Sequence, residues 1–401
     1  MKKAVFVLLS AIAVLPLFAQ ERTLRLDYTF SGTATEASIA LDEVRSLNGW
    51  AGRRNHLDSL LLAGNGQIVI RAEDSTVLYR NSFSTLFQEW QNTEEATRVR
   101  RSFQNVFLAP MPDGPAEVTV SLFDSHGRTT ATLTHPVNPS DILIRPVKAA
   151  PTVRDIRIGG SVHDCIDIVI VAEGYTAAEM DTFYTHAQQA VKAILSHEPF
   201  KSYADRFNFR ALGLESADSG VSVPHEGLWL DTPLHSGFDT FYTPRYLTTL
   251  HIKDLWDAIG EVPCEHIIIL ANTTTYGGGG IFNSYLLTTA RHLNFKPVVV
   301  HEFGHSFAGL ADEYFYDDQY TDYYYPDFEP WEPNITTKAD FSKKWEDMMD
   351  KCGVGLHEGG GYMSKGVWRS SHNCRMRTNE ARGFCPVCRR AIERMIRFYT
   401  D

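Results

Sequence analysis

Beyond its first twenty residues the chain has no apolar run long enough to cross a bilayer, so no membrane helix is expected in the remainder. Basic excess is also missing. There are 49 acidic against 38 basic residues, a formal net charge of −11. That balance disfavours nucleic acid and anionic membrane as partners, since both need a basic surface. Cysteine is scarce, with six in 401 residues, and a chain of this length does not depend on disulfides for its core. No Gly-Lys-Ser/Thr follows the glycine run at residues 277–280, which excludes a phosphate loop there, and the EF-hand pattern is absent. No internal repeat is found.

What is present starts with MKKAVFVLLSAIAVLPLFAQ. Two lysines precede a short apolar run that is broken by Pro16 and ends in small residues. This order predicts a secretory signal peptide over residues 1–19, cut near Ala19. No cysteine lies near the cut, which argues against a lipid anchor there. Residues 20–150 are expected to form a β-rich N-terminal domain. TLRLDYTF, QIVIRA, AEVTVSLF and TTATLTH alternate apolar and polar positions, and GNG, PDG and SHG supply turns between them. Short strands of this kind predict a small β-sandwich, with a helical insert near SLFQEWQNTEEATRVRRSF. AAPTVRD (149–155) reads as the linker.

Residues 151–401 follow a different pattern. DIVIVAEG (167–174) and HIIILAN (266–272) are continuous apolar runs, as expected of buried strands. Residues 176–197 have helical spacing and open on Thr176 with Glu179 three residues later, a capping box. LTTLHIKDLWDAI is a further helix, and IFNSYLLTT reads as a strand. The layout is α/β. Cys165 and Cys264 each stand two residues before a buried strand core, so a disulfide between them is geometrically possible if the strands are adjacent and parallel, and both are otherwise ordinary buried thiols.

Chemistry concentrates in HEFGHSFAGLADEY, from His301 to Tyr314. Pro297 suits the first turn of a helix that continues through VVVHEFGHSFA. His301 and His305, four apart, project from one face with Cβ atoms roughly 5–6 Å apart. That spacing lets two imidazoles bind one Zn²⁺ at about 2.0–2.1 Å. Glu302, one residue round, can reach a water on the metal and act as its general base. Val299, Val300, Phe303 and Phe307 are left for the core. A third ligand is needed, with one position left open. Asp312 is the first candidate: on an unbroken helix it would sit roughly 10 Å too far along, but Gly309 can end the helix in a left-handed cap and fold the chain back. Glu313 is the next candidate. Glu329 and Glu332 come from PDFEPWEP, which prolines make a poor helix.

HEFGHSFAGLADEY, IVIVAEGYT, TTTYGGGG and the later GGGYMSKGVWRSSHNCRMR with FCPVC together resemble the M64 peptidases, a family named for immunoglobulin-A-cleaving bacterial enzymes. The likeness spans most of 155–401, and the β-rich front part is similar to the family's N-terminal domain. The resemblance implies a metzincin-like zinc peptidase domain. It implies His301 and His305 as ligands, Glu302 as base, and a methionine beneath the metal, with Met376 the better match and Met363 the second. Metzincins read HExxHxxGxxH; here the glycine comes one place later and an acid takes the third histidine's place. The resemblance also implies that the sheet's edge strand, assigned to IFNSYLLTT, receives an extended peptide above the metal.

Tyr314 and Tyr362 are candidate donors to an oxyanion. The stretch from Ala311 to Pro333, rich in acids and tyrosines, reads as a cleft rim or a surface loop. Cys374, Cys385 and Cys388 with Cys352 offer a structural zinc site, whereas export favours disulfides. His163, His266, His357 and His372 have no ligand spacing. The leading expectation is a secreted zinc endopeptidase acting on protein or peptide substrates, immunoglobulin A among them by resemblance. An exported glycan- or protein-binding module with a non-catalytic metal is the rival from another class. Hydrolysis of a non-peptide amide is the third.

Overall fold

The computed structural model describes residues 21–148, 150–317, 323–349, 351 and 353–401. The expected signal segment and Cys352 lie outside the described residues. The N-terminal part contains β1 (Arg22–Gly32), β2 (Ala37–Asn48), β3 (Gly66–Ala72), β4 (Val77–Phe83), α1 (Leu86–Gln91), β5 (Arg101–Pro110), β6 (Ala116–Phe123), β7 (Thr129–Val137) and β8 (Arg145–Pro146). They form two four-stranded sheets, in the orders β5-β1-β2-β8 and β4-β3-β6-β7. Alternation decides which side chains meet. Leu24, Leu26, Tyr28 and Phe30 of β1 share a core with Ile68, Ile70, Val118, Val120 and Leu122. The hairpin signal DSHG forms the β6–β7 turn, where the Asp124 carboxylate accepts from the amides of His126 and Arg128 at 2.9 Å.

The second part starts with β9 (Arg154–Arg157), β10 (Ile166–Glu173), α2 (Met180–Ile194) and β11 (Phe207–Leu212). It continues through α3 (Ile252–Ile259), β12 (His266–Ala271), β13 (Gly278–Gly280), β14 (Leu286–Thr289) and α4 (Phe295–Ala308). The last elements are β15 (Phe315–Tyr316), β16 (Ile335–Thr336), β17 (His357–Gly360), β18 (Tyr362–Arg369) and α5 (Pro386–Thr400). The main sheet has the order β13-β14-β12-β10-β11-β9. Its four inner strands are parallel, and β9 and β13 run antiparallel at the edges. The Thr176–Glu179 capping box is present and opens a 3₁₀ turn that runs into α2.

Both faces of this sheet are covered, which is why its strands read as unbroken apolar runs. Ile168, Ile170, Ile268, Leu270 and Leu286 face a core shared with α2, α4 and α5. Val169, Val171, Ile267, Ile269 and Leu287 point the other way, into the same continuous core as the N-terminal sheets. α3 lies between: its Asp257 pairs with Arg25, which is 1 % exposed and also holds Asp27 at 2.8 Å.

Two expectations need correction. The edge strand is the glycine segment β13, not IFNSYLLTT, of which only LLTT is a strand and lies one place in. Cys165 and Cys264 are not joined. β10 and β12 are adjacent and parallel, but Ile168 is level with His266. The two cysteines are therefore one residue out of step, which turns them to opposite faces.

Glu173, at the end of β10, is fully buried and anchors the long segment before α3. Its carboxylate accepts from Thr232 Oγ1 and Ser236 Oγ at 2.7 Å, from the Ser236 amide at 3.0 Å and from the Leu234 amide at 3.1 Å. Removing it strands these buried donors. Glu173→Ala is expected to lower stability by about 2–4 kcal/mol, read from urea denaturation. An unchanged midpoint would show that the segment is held by other means.

Candidate metal centre

The site begins with a helix end. α4 stops at Ala308, and Gly309 takes the left-handed conformation at φ +58°. The Gly309 amide bonds to the His305 carbonyl at 3.0 Å, the 5→1 bond of an αL helix stop, and the Leu310 amide bonds to the Gly304 carbonyl at 3.2 Å. The chain folds back, and Asp312 returns to the histidine face of the helix it has just left.

Three side-chain atoms then converge. His301 Nε2 lies 3.0 Å from His305 Nε2. Asp312 Oδ1 is 2.9 Å from the first and 3.3 Å from the second. Tetrahedral coordination at about 2.0–2.1 Å puts donor atoms about 3.3 Å apart, so the trio has the spacing of one ligand set. The protons support the same reading. His301 Nδ1 is 2.9 Å from the Arg375 carbonyl, and His305 Nδ1 meets the Leu310 carbonyl. A carbonyl cannot donate, so each Nδ1 carries a hydrogen and each Nε2 is the nitrogen turned to the centre. Asp312 Oδ1 is buried and has no hydrogen-bond donor of its own. Two Nε2 atoms and a carboxylate oxygen thus converge on a space that a proton or a metal cation fills.

The electrostatics follow. Burial alone would lower the His305 pKa, but Asp312 beside it, with Glu302, pushes it up to about 9. Burial would likewise raise Asp312, yet the two imidazoles hold it well below the usual carboxylate range. Each group favours an opposite charge at this point. The Tyr362 hydroxyl donates to Asp312 Oδ2 at 2.5 Å, leaving Oδ1 for the centre. Tyr362 has φ +66°, rare for a bulky residue, in a turn whose Gly361 amide bonds to the Asp312 carbonyl at 2.8 Å.

Glu302 lies on the same helix and lines the same cleft. One of its oxygens is within 4.8 Å of nitrogens of both histidines. Burial raises its pKa above the ordinary glutamate value. The strand β13 passes close over this face. A Cβ on Gly278 would stand 3.0 Å from Glu302 Oε1, and one on Gly280 would be 2.4 Å from the Glu302 carbonyl. The glycine run thus serves close approach. Beneath the helix, Met376 Sδ packs against Gly304 and is fully buried. Met363 belongs to a separate small cluster with Ala311, Ile335 and Val367.

The remaining candidates are placed elsewhere. Glu313, the alternative third ligand, turns away from the histidines into a pocket of Cys374, Cys385 and Cys388. Burial there pushes its pKa up to about 8. Glu332 accepts from the Tyr324 hydroxyl at 3.0 Å, and Glu329 from the Asp340 amide at 2.9 Å. Tyr362 is engaged with Asp312, while Tyr314 stacks beside His301 with ring centroids 6.5 Å apart. The cysteines expected to pair in an exported chain are free among the described residues. The Arg375 carbonyl and the Tyr362 hydroxyl support the site without any linear signal, since both arrive from far along the chain.

The N-terminal part forms one wall of the cleft. The Ser84 amide bonds to the Phe282 carbonyl at 3.0 Å, Asn283 donates to the Ser82 carbonyl at 2.7 Å, and Tyr246 bonds to Glu89. Gln88, Tyr246, Tyr314 and Tyr324 line the cleft beside the histidines. No helix among the described residues is long and apolar enough to cross a membrane.

Comparison with known families assigns both parts. The family description IgA Peptidase M64 matches residues 155–353 and 350–396, and Peptidase M64 N-terminus matches residues 16–134. The comparison with curated proteins gives no match. A buried carboxylate and two oriented imidazoles on one cleft wall are what a metallopeptidase needs, and the matches span most of the sequence: the chain belongs to the M64 peptidases.

Proposed function

We propose that the protein is an exported zinc-dependent endopeptidase in which His301, His305 and Asp312 hold the metal and Glu302 is the general base. The observation that carries this is the convergence of two imidazole nitrogens and a carboxylate oxygen beside a buried glutamate in an open cleft. A zinc ion in such a site supplies polarisation of the scissile carbonyl and acidification of a water. Glu302 would act as the base that takes a proton from the attacking water and gives it to the leaving amine nitrogen. Its raised pKa suits a group that must both accept and release a proton.

The fold supports the same reading at finer grain. The two N-terminal sheets around one core read as a small sandwich. An antiparallel edge strand over the histidine helix, a glycine bend, a third ligand beyond it and a methionine beneath read as metzincin-like, with an aspartate in the third histidine's place. β13 offers backbone groups to an extended polypeptide. Its outer side already bridges to Tyr246 at Gly278, which limits the free edge to the end near Gly280. The cationic, apolar and small segments at the start of the sequence support export. Immunoglobulin-A-type substrates are the choice that the family description suggests.

Glu302→Gln is expected to keep its metal and to lose about 10²–10⁴-fold in kcat/KM on a quenched fluorescent protein substrate. Metal content and activity are measured on the same preparation; undiminished hydrolysis would remove Glu302 from the role. Tyr362→Phe frees Asp312 Oδ2 and is expected to weaken metal affinity about 10–100-fold, followed by competition with a chelator of known affinity. Unaltered affinity would mean that Asp312 needs no such support. Mass spectrometry of the exported protein is expected to find a mature start near Gln20, and an intact Met1 would overturn the leader assignment.

A further inference from the structure

A second cluster of metal-binding groups lies behind the first. Cys374 occupies the turn after β18, and Cys385 and Cys388 open α5, where Pro386 fills the first helical position. Glu313 enters from the segment after Asp312. Cys374, Cys388 and Glu313 are fully buried and Cys385 is 3 % exposed. The three sulfurs and a carboxylate oxygen lie within 4.8 Å of one another.

The distances are those between donor atoms of one coordination sphere. Cys374 Sγ and Cys388 Sγ stand 3.6 Å apart, and Cys388 Sγ is 3.1 Å from Glu313 Oε1. Tetrahedral zinc thiolates at about 2.3 Å place sulfurs about 3.8 Å apart, whereas a disulfide needs about 2.05 Å. Donors surround the sulfurs. The Cys385 amide points at Cys374 Sγ at 3.3 Å, the Cys388 amide at Cys385 Sγ at 3.4 Å, and Ser370 Oγ is 3.3 Å from Cys385 Sγ. Such bonds suit sulfur carrying negative charge. Glu313 supplies an independent sign. Asn334 donates to its Oε1 at 3.1 Å, but Oε2 is buried with no partner. A buried carboxylate oxygen without a partner is costly unless a proton or a cation compensates it.

We propose that Cys374, Cys385, Cys388 and Glu313 form a second, closed site for a thiophilic divalent cation of the zinc type. With four protein ligands it leaves no open vertex, so its role is structural. It also braces the first centre at three points. Glu313 follows Asp312 directly, so one extended segment sends alternate side chains to the two sites. Cys374 precedes Arg375, whose carbonyl orients His301. The Glu313 amide bonds to the Met376 carbonyl at 2.8 Å, holding the methionine turn under Gly304. This bracing rests on the catalytic reading above; the site itself does not.

The test uses the full chain loaded with zinc alone, studied by metal analysis and zinc-edge X-ray absorption. Two metals per chain are expected, with sulfur in the shell at about 2.3 Å and nitrogen or oxygen at about 2.0–2.1 Å. His301→Ala/His305→Ala should keep the sulfur shell and fall to one metal per chain. Cys388→Ser should lose sulfur from the shell. A wild-type zinc shell free of sulfur, or a disulfide among these three cysteines found by mass spectrometry, would overturn the proposal whether or not Cys388→Ser folds. Two sulfur-bound metals in the double histidine variant would instead count against the first centre alone.

Discussion

The arrangement depends on where two hydrogens cannot go. Each histidine on α4 spends its Nδ1 hydrogen on a backbone carbonyl, that of Arg375 or of Leu310. Both rings therefore turn their Nε2 atoms toward a carboxylate that is itself buried. In a low-dielectric interior these three acceptors need positive charge between them, a proton or a metal cation. Helix end, return loop and tyrosine turn hold that arrangement in place. A centre held so firmly needs little rearrangement when it is loaded.

The histidine pair and its glutamate were legible because helical periodicity alone sets their relation. Asp312 was legible one step further, because a glycine just past a helix is a common stop and seven residues of straight helix would have carried it too far. What escaped notice depends on contacts between distant segments. The reason for Gly278 and Gly280 emerges only once β13 lies on α4. Asp312 and Glu313 are alike in composition and adjacent in sequence, and only their opposite directions separate their parts.

The strand pattern showed a similar limit. Unbroken apolar runs at 167–174 and 266–272 indicated strands covered on both sides, and alternate residues indeed enter two cores. Nothing in the runs says what covers each side. One cover is the expected set of helices. The other is α3 together with the preceding domain, joined through Arg25 and Asp257. The two matched regions of the chain consequently share apolar packing, and the cleft has walls from both.

The narrow strand of three glycines has one more consequence. In the proposed reading, a polypeptide beside its free end near Gly280 would meet amides and carbonyls rather than side chains of the strand, so that margin would treat every amino acid alike. Discrimination between one polypeptide and another would then come from the tyrosines of the cleft lining: Tyr246, which bridges to the strand at Gly278, and Tyr314 and Tyr324. Exchanging those residues would change which polypeptides are preferred while the glycine margin stayed the same.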